Sequence, residues 1–183
     1  MSLTFERGPH RGVARKELLR RINCMIDALQ LKNPEVSFLL TDDARIHELN
    51  KTYRKKDRPT DVLAFALREG DFAELAGDAL GDVIVSVPTA RKQAEERGCP
   101  VLDEVTMLTA HGLLHLLGWD HDTDAKERRM TAETERLCRA AAPASKAGAK
   151  RSLSKKKSAS ARAPRPKKDQ ATRGVKRRRS PTR

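Results

Sequence analysis

The chain has 183 residues, of which 38% are hydrophobic, and a formal net charge of +13. This length suits one ordinary domain, and the hydrophobic fraction is low for a chain that folds throughout. No segment approaches the ~20 apolar residues of a membrane span, and the N-terminus lacks the apolar stretch of a signal peptide. Cys24, Cys99 and Cys138 are odd in number and far apart, which indicates neither a disulfide framework nor a thiolate zinc site. We expect a cytoplasmic protein without membrane contacts.

The positive charge is concentrated at one end of the chain. Residues 146–183 hold 16 Lys and Arg against the single acid Asp169, whereas residues 1–145 hold 22 Lys and Arg against 24 Asp and Glu. The tail consists mainly of Lys, Arg, Ala, Ser and Pro, which bury too little apolar surface to offset the entropy lost on ordering. We expect one folded domain over residues 1–145 and a disordered tail over residues 146–183.

Periodicity in the first third of the chain predicts a helix, a strand and a second helix. Apolar residues recur at steps of three and four over residues 13–29, which predicts a helix that ends before Pro34. Residues 35–40 are short and apolar enough for a strand. Residues 41–43 can cap a following helix, and residues 53–60, YRKKDRPT, are expected to form a basic loop after it.

The middle of the chain adds two strands and two helices. Residues 61–67 and 81–87 have strand character, and the polar residues 68–79 between them are expected to form a loop. Residues 89–97 predict a short helix, and residues 100–117 predict a longer one that Pro100 opens.

A last helix is expected to begin near residue 124. Asp124 and Glu127 have the spacing of a capping box, and the helix should run to about residue 142. Three strands, at most four, are thus mixed with helices without strict alternation. We predict an α+β fold with one small mixed sheet and helices packed on it.

The segment HGLLHLLGWDH, residues 111–121, holds three of the five histidines in the chain. His111 and His115 are four residues apart, so a helix places them on one face, one turn apart. Gly118 can adopt the left-handed conformation that ends a helix, which lets His121 return to the other two. Three imidazoles leave one position of a tetrahedral zinc open, as in catalytic sites. We predict one zinc ion per chain on His111, His115 and His121, although nickel, copper and iron suit the same ligands.

Two simpler interpretations accompany this one. A single histidine on an apolar helix is more often a packed core residue than a ligand, and a pair at this spacing is ambiguous. Asp120, Asp122 and Asp124 lie close by, and carboxylates often orient a ligand imidazole. A solvated loop and a helix cap explain these aspartates equally well, so no single one is assigned.

The histidine spacing is also that of the metzincin proteases, but Gly112 stands where those enzymes have a catalytic glutamate. Because that glutamate takes the proton from the attacking water, its absence argues against peptide hydrolysis by the same route. A phosphodiester carries charge from the start, and the fork of an arginine matches phosphate oxygens in pairs. Gly112 therefore favours a phosphodiester substrate over a peptide.

Two further motifs precede the histidines: NKTYRKKDRPTDVLAF over residues 50–65 and LGDVIVS over residues 80–86. In this order the three motifs resemble the YbeY family of bacterial endoribonucleases, the ribosomal RNA maturation factors. The resemblance implies a zincin-like fold, one zinc held by the three histidines, and cleavage of single-stranded RNA. It also implies a role in maturation of the small-subunit (16S) ribosomal RNA 3′ end and in ribosome quality control. The functional arginine of the family's Tyr-Arg motif carries over onto Arg54.

The departures from the family pattern are small. Ala64 and Ala66 stand where the family commonly has serine and proline, Trp119 replaces a commoner tyrosine, and the basic tail has no counterpart. Trp119 is near the proposed site, so base stacking on it is a weaker hypothesis. Arg54 lies beside Lys55 and Lys56, where a solvated basic loop is the alternative. With the resemblance, we expect Arg54 to be catalytic and to stabilise transition-state charge.

RNA is the expected partner, chiefly ribosomal RNA within the small subunit. The tail over residues 146–183 is expected to contact RNA, although a solubilising or localisation-like tract has the same composition. Two other functions stay open at this level. One is a zinc metallopeptidase, and the other is a noncatalytic RNA-binding ribosome-assembly factor with a structural metal.

Overall fold

The computed structural model of the protein describes residues 1–8, 10–68 and 78–142. The order of elements is β1 (Ser2–Phe5), α1 (Arg15–Ala28), β2 (Glu35–Thr41), α2 (Asp43–Arg54), β3 (Val62–Ala66), β4 (Ala79–Ser86), α3 (Val87–Arg97), α4 (Val101–Leu116) and α5 (Asp124–Ala141). This order confirms the predicted α+β class. The predicted tail, its boundary at residue 145 and most of the loop over residues 68–79 lie outside the described residues.

The four strands of the described residues form one mixed sheet in the order β1-β2-β4-β3. β2 pairs in parallel with β1 and with β4, whereas β3 pairs with β4 in antiparallel fashion and lies at an edge. The register aligns Leu3, Phe38, Val83 and Ala64 in one row across the sheet. All four are buried, so this row belongs to a face of the sheet that helices cover.

β1 is an addition to the three strands that the sequence predicts. Ser2–Phe5 is four residues long, which is too short for an alternating pattern to be recognised. The segment is a strand because it pairs with β2 and buries Leu3 against the core. Its conformation therefore depends on tertiary context rather than on local propensity.

Helices cover both faces of the sheet. On one face, Ile22 of α1, Leu113 of α4 and Leu137 of α5 are fully buried in the main hydrophobic core. On the other face, Ile46 of α2 packs with Leu63 of β3 in a smaller cluster. Among the described residues, no helix combines the length and the apolar character needed to span a bilayer.

Helix caps explain two of the element boundaries. The Asp42 carboxylate accepts a hydrogen bond from the Arg45 backbone N–H at 2.8 Å, which confirms the predicted start of α2. At α5 the capping residue is Thr123, whose hydroxyl accepts from the Lys126 N–H, and not the predicted Asp124. Both residue types cap helices well, so the sequence pattern could not separate neighbouring Thr and Asp.

Gly112 lies where α4 crosses the sheet. A Cβ atom at this position would lie 2.5 Å from Val83 Cγ1 and 3.2 Å from Val62 Cγ2. Position 112 therefore faces β3 and β4 rather than the histidine side of α4. Close helix–sheet packing accounts for the glycine, so Gly112 is not by itself a sign of a phosphodiester substrate, although the catalytic glutamate of the metzincins is still absent from this position.

We expect Gly112→Ala to lower the free energy of unfolding by about 1–3 kcal/mol, because overpacking outweighs the gain in helix propensity. Val83→Ala removes the two methyl groups that the new Cβ would meet. The double variant should therefore be more stable than the sum of the two single effects predicts. Chemical denaturation of metal-stripped protein measures the free energy of unfolding of the wild type, the two single variants and the double variant. Additivity within about 0.5 kcal/mol would show that the contact does not explain the glycine.

Candidate metal centre

Three histidines meet where α4 ends. His111 and His115 lie one turn apart on α4, and their ring centroids are 4.8 Å apart. Gly118 has a φ of +79° and donates its N–H to the His115 carbonyl, so the chain reverses directly after the helix. His121 thereby returns to ring-centroid distances of 5.7 Å from His111 and 5.1 Å from His115. One ring nitrogen of each lies within 4.8 Å of the others, an arrangement compatible with a metal ion.

The backbone selects the tautomer of His115. Its Nδ1 lies 3.0 Å from the carbonyl oxygen of Trp119. A carbonyl can only accept a hydrogen bond, so Nδ1 carries the proton and donates it. Nε2 is then left with the lone pair that a metal requires, as is usual for ligand histidines.

Burial keeps His111 and His115 uncharged. The pKa of His111 is lowered from 6.5 to about 4, chiefly by burial and then by the neighbouring His115 and His121, against an opposing effect of Asp61. The pKa of His115 is also lowered, by burial, by His121 and by the positive charge of Arg54. At neutral pH both rings are therefore neutral, which is the protonation state that binds a metal.

This lowered pKa predicts how the metal-stripped protein responds to acid. Between pH 6.5 and about 4 the unfolded chain protonates His111 whereas the folded chain does not, so stability should fall as the pH falls through this range. Above pH 6.5 the residue is neutral in both states and should contribute no pH dependence. Urea unfolding of chelator-treated protein, repeated across this pH range, gives the free energy of unfolding as a function of pH. Its slope should be shallower for His111→Gln than for wild type. Equal slopes for the two proteins would contradict the burial of this ring.

Arg54 is the last residue of α2, not part of a loop as predicted. The helix continues through Tyr53 and Arg54 and ends at Lys55, which has a left-handed φ of 58°, and the N–H of the following Lys56 donates to the Asn50 carbonyl at 3.2 Å. The sequence placed the helix end too early because the aliphatic residues that mark the buried side of this helix end at Leu49. Arg54 therefore extends from a regular helix and not from a loop. Its Nη2 donates a hydrogen bond to the Ala64 carbonyl at 2.9 Å.

One cleft brings Arg54 together with two of the three histidines, His115 and His121. It has a volume of about 540 Å³, and its lining comprises Arg54, Ala64, Ala66, His115, Gly118, Trp119, Asp120, His121 and Lys126. Arg54 comes from α2, the alanines from the edge strand β3, and the histidines from α4 and the turn after it. The structure thus brings together residues that are far apart in the sequence.

None of the three nearby aspartates accepts a hydrogen bond from a ligand imidazole in the part of the chain that the structure describes. Asp120 accepts from the His121 backbone N–H at 2.7 Å, and Asp122 forms an ion pair with Lys126 at 2.8 Å. The Trp119 carbonyl takes the orienting role instead. No sequence pattern identifies this acceptor, because it is a backbone group placed by the turn at Gly118.

Two charged residues near the cluster were not predicted. Lys126, in the first turn of α5, lines the cleft and is held by Asp122 and, at 3.9 Å, by Asp120. Asp61 precedes β3 and raises the pKa of His111, against the effect of burial. Its carboxylate accepts from the Val62 N–H and from Gln93, so the negative charge is fixed in position. Both residues reach the cluster through tertiary contacts rather than through the histidine motif.

Comparisons with known proteins agree with the three motifs. The model of the family Endoribonuclease YbeY matches residues 10–142. Endoribonuclease YbeY of Persephonella marina is 42% identical over 120 residues, 66% of this chain and 78% of that protein. The Aquifex aeolicus protein of the same name is 44% identical over 126 residues, 68% and 81% of the two chains. That of Moorella thermoacetica is 47% identical over 133 residues, 67% and 85% of the two chains.

A solved structure shares the fold. The solution structure of TM1509 from Thermotoga maritima matches with a TM-score of 0.55 at 25% sequence identity, covering 84% of this chain and 94% of that one. The family match includes β2, β3 and β4 but not β1, and it includes Arg54 and all three histidines. The resemblance seen in the sequence is therefore confirmed, and the chain belongs to the Endoribonuclease YbeY family.

Proposed function

We propose that this protein is a metal-dependent endoribonuclease that cleaves single-stranded RNA. Its proposed task is maturation of the 3′ end of the small-subunit (16S) ribosomal RNA and ribosome quality control in the cytoplasm. The observation that carries the proposal is the cleft that Arg54 shares with His115 and His121, in a chain whose relatives are named endoribonucleases.

His111, His115 and His121 would hold one zinc ion. The donor set fits, because three imidazoles suit zinc, His111 and His115 are kept neutral by burial, and the Trp119 carbonyl orients the His115 ring. When bound, zinc supplies a Lewis acid that polarises a phosphoryl oxygen or lowers the pKa of a water molecule.

Arg54 would hold the phosphate. One Nη2 hydrogen bond to the Ala64 carbonyl fixes the guanidinium over the edge of β3, and the remaining N–H groups are available to a phosphodiester. Lys126 contributes a second positive charge to the same cleft. Donors fixed before the substrate binds need not reorganise as charge develops in the transition state, which is the main source of electrostatic catalysis.

The peptidase alternative lacks a base at the usual position. In metzincins the residue after the first histidine is a glutamate, whereas position 112 of this chain faces Val83 and Val62 of the sheet. A carboxylate introduced there would be directed into the core. We therefore do not propose peptide hydrolysis.

The proposal is tested by metal analysis coupled to RNA cleavage. Purified protein should contain about one zinc per chain and should cleave a single-stranded RNA but not the same RNA annealed to its complement. Chelation should abolish cleavage, and zinc should restore it. Metal-loaded protein that binds RNA without cutting it would instead favour the noncatalytic assembly factor. Chelator-sensitive digestion of an unfolded protein substrate would favour the peptidase.

We also propose that the basic residues over positions 146–183 contribute to RNA binding. The 16 basic residues of this tail would attract any polyanion. We expect deletion of residues 146–183 to weaken RNA affinity and to lower its salt dependence, by roughly 0.7 in logarithmic slope for each phosphate that the tail neutralises in the full chain. Zinc content should be unchanged. A deletion that loses the metal would place the domain boundary beyond residue 145.

A further inference from the structure

Tyr53 is an exposed aromatic residue beside Arg54. It is the only tyrosine of the chain, and 66% of its surface is exposed. Of the large hydrophobic residues that the structure describes, only Met1 and Leu67 are comparably exposed, and neither is aromatic. Large exposed aromatic side chains commonly mark recognition surfaces, because they bury much area while few torsions need to be fixed.

The Tyr53 ring is held in place despite its exposure. It contacts Phe65 of β3 in an edge-to-face arrangement, with ring centroids 5.4 Å apart and planes inclined at 67°. This contact fixes the ring against the edge strand that also lines the cleft through Ala64 and Ala66. Phe65 points to the face of β3 opposite to Ala64 and Ala66, so the ring lies on the α2 side of this edge strand, across the strand edge from the cleft.

The segment that follows Tyr53 along the chain is positively charged. Asp57 is the acid in the segment after α2, and it is already paired with Lys51 and His47 at 2.7 Å each. Lys55, Lys56 and Arg58 have no carboxylate within ion-pair distance among residues 1–8, 10–68 and 78–142. Surfaces that bind single-stranded nucleic acid combine these two features, basic groups along the backbone and aromatic faces for the bases.

Consecutive residues on a helix point in directions about 100° apart, so Tyr53 and Arg54 reach different parts of a bound strand. Arg54 lies in the cleft, whereas Tyr53 lies outside it over Phe65. We propose that Tyr53 stacks on a base of the single-stranded RNA, next to the phosphate that Arg54 holds. Tyr53 thereby positions the strand. This inference rests on the proposed function and adds to it the residue that recognises a base.

The structure favours Tyr53 over Trp119 for this role. Trp119 is half-buried, and the guanidinium of Arg129 lies 5.9 Å from its ring centroid. Its backbone, rather than its ring, serves the metal centre through the bond to His115. Tyr53 has the larger exposed fraction and lies beside the phosphate-binding residue.

Binding of a 12-nucleotide single-stranded RNA to the full chain, measured in chelator so that no cleavage occurs, tests the proposal. Base stacking on an aromatic ring is worth roughly 5- to 150-fold in affinity, so Tyr53→Leu should weaken binding by about tenfold or more. Tyr53→Phe keeps the aromatic face and should bind within about twofold of wild type. Leu67→Ala removes exposed apolar surface without an aromatic ring and should leave affinity unchanged.

An RNA series with one abasic nucleotide at each position identifies the contact. Wild-type protein should lose affinity at one position, and Tyr53→Leu should lose nothing further there. Unchanged affinity of Tyr53→Leu, or equal losses for both proteins at every abasic position, would overturn the stacking role. A wild-type protein that binds RNA but cannot cleave it when metal-loaded would overturn the proposed nuclease function instead, without affecting the binding result.

Discussion

Replacement of His115 by alanine is expected to remove the metal and to abolish RNA cleavage. The substitution deletes one of three clustered ring nitrogens and also leaves the Trp119 carbonyl without its donor. Loss of a group that only orients a ligand typically costs 10- to 100-fold in metal affinity or activity, so loss of the ligand itself should cost more than about 100-fold. Metal analysis of the dialysed protein and single-turnover cleavage of a single-stranded RNA measure the two effects.

His47→Ala is the matched control for this experiment. His47 is also a histidine on a helix, but it is half-buried, pairs with Asp57 and does not belong to the histidine cluster. We expect normal zinc content and normal cleavage from this variant. Circular dichroism should show that the His115→Ala protein is folded. Zinc retained at one per chain and undiminished cleavage by folded His115→Ala would refute the assignment of this histidine as a ligand.

The histidine cluster was accessible from the sequence because its geometry is local. Two ligands lie on one helix at a spacing of four residues, and a single glycine turn returns the third. Helix periodicity and the left-handed preference of glycine are sufficient to place all three. The same holds for α1, α3 and α4, whose apolar positions repeat regularly.

The other half of the site depends on tertiary contacts that no local pattern encodes. The sequence predicted Arg54 through family resemblance and not through geometry, since only the packing of α2 against β3 places it over the Ala64 carbonyl. Gly112 is a similar case, because its fit against Val83 depends on how α4 crosses the sheet. The role of each of these residues depends on how two secondary-structure elements pack together, so it cannot be predicted before the packing is known.

Arg54→Ala is expected to lower kcat/KM for RNA cleavage by about 10²–10³-fold, the usual effect of removing one donor that stabilises transition-state charge. Zinc content should not change, because Arg54 is not among the clustered nitrogens. Arg54→Lys keeps the charge but loses the planar fork that can bond Ala64 and a phosphate together, so it should recover only part of the activity. Steady-state cleavage by zinc-loaded variants measures both.

Arg58→Ala separates a specific role from general electrostatics. Arg58 belongs to the same basic segment, but its side chain is exposed and it is not among the residues that line the histidine cleft. Removal of its charge should weaken RNA binding slightly and leave the cleavage step intact. If Arg58→Ala and Arg54→Ala reduce cleavage equally, the segment acts as a diffuse positive surface. If Arg54→Lys is fully active, a bidentate role is ruled out, and a point charge at the rim of the cleft is sufficient for the reaction.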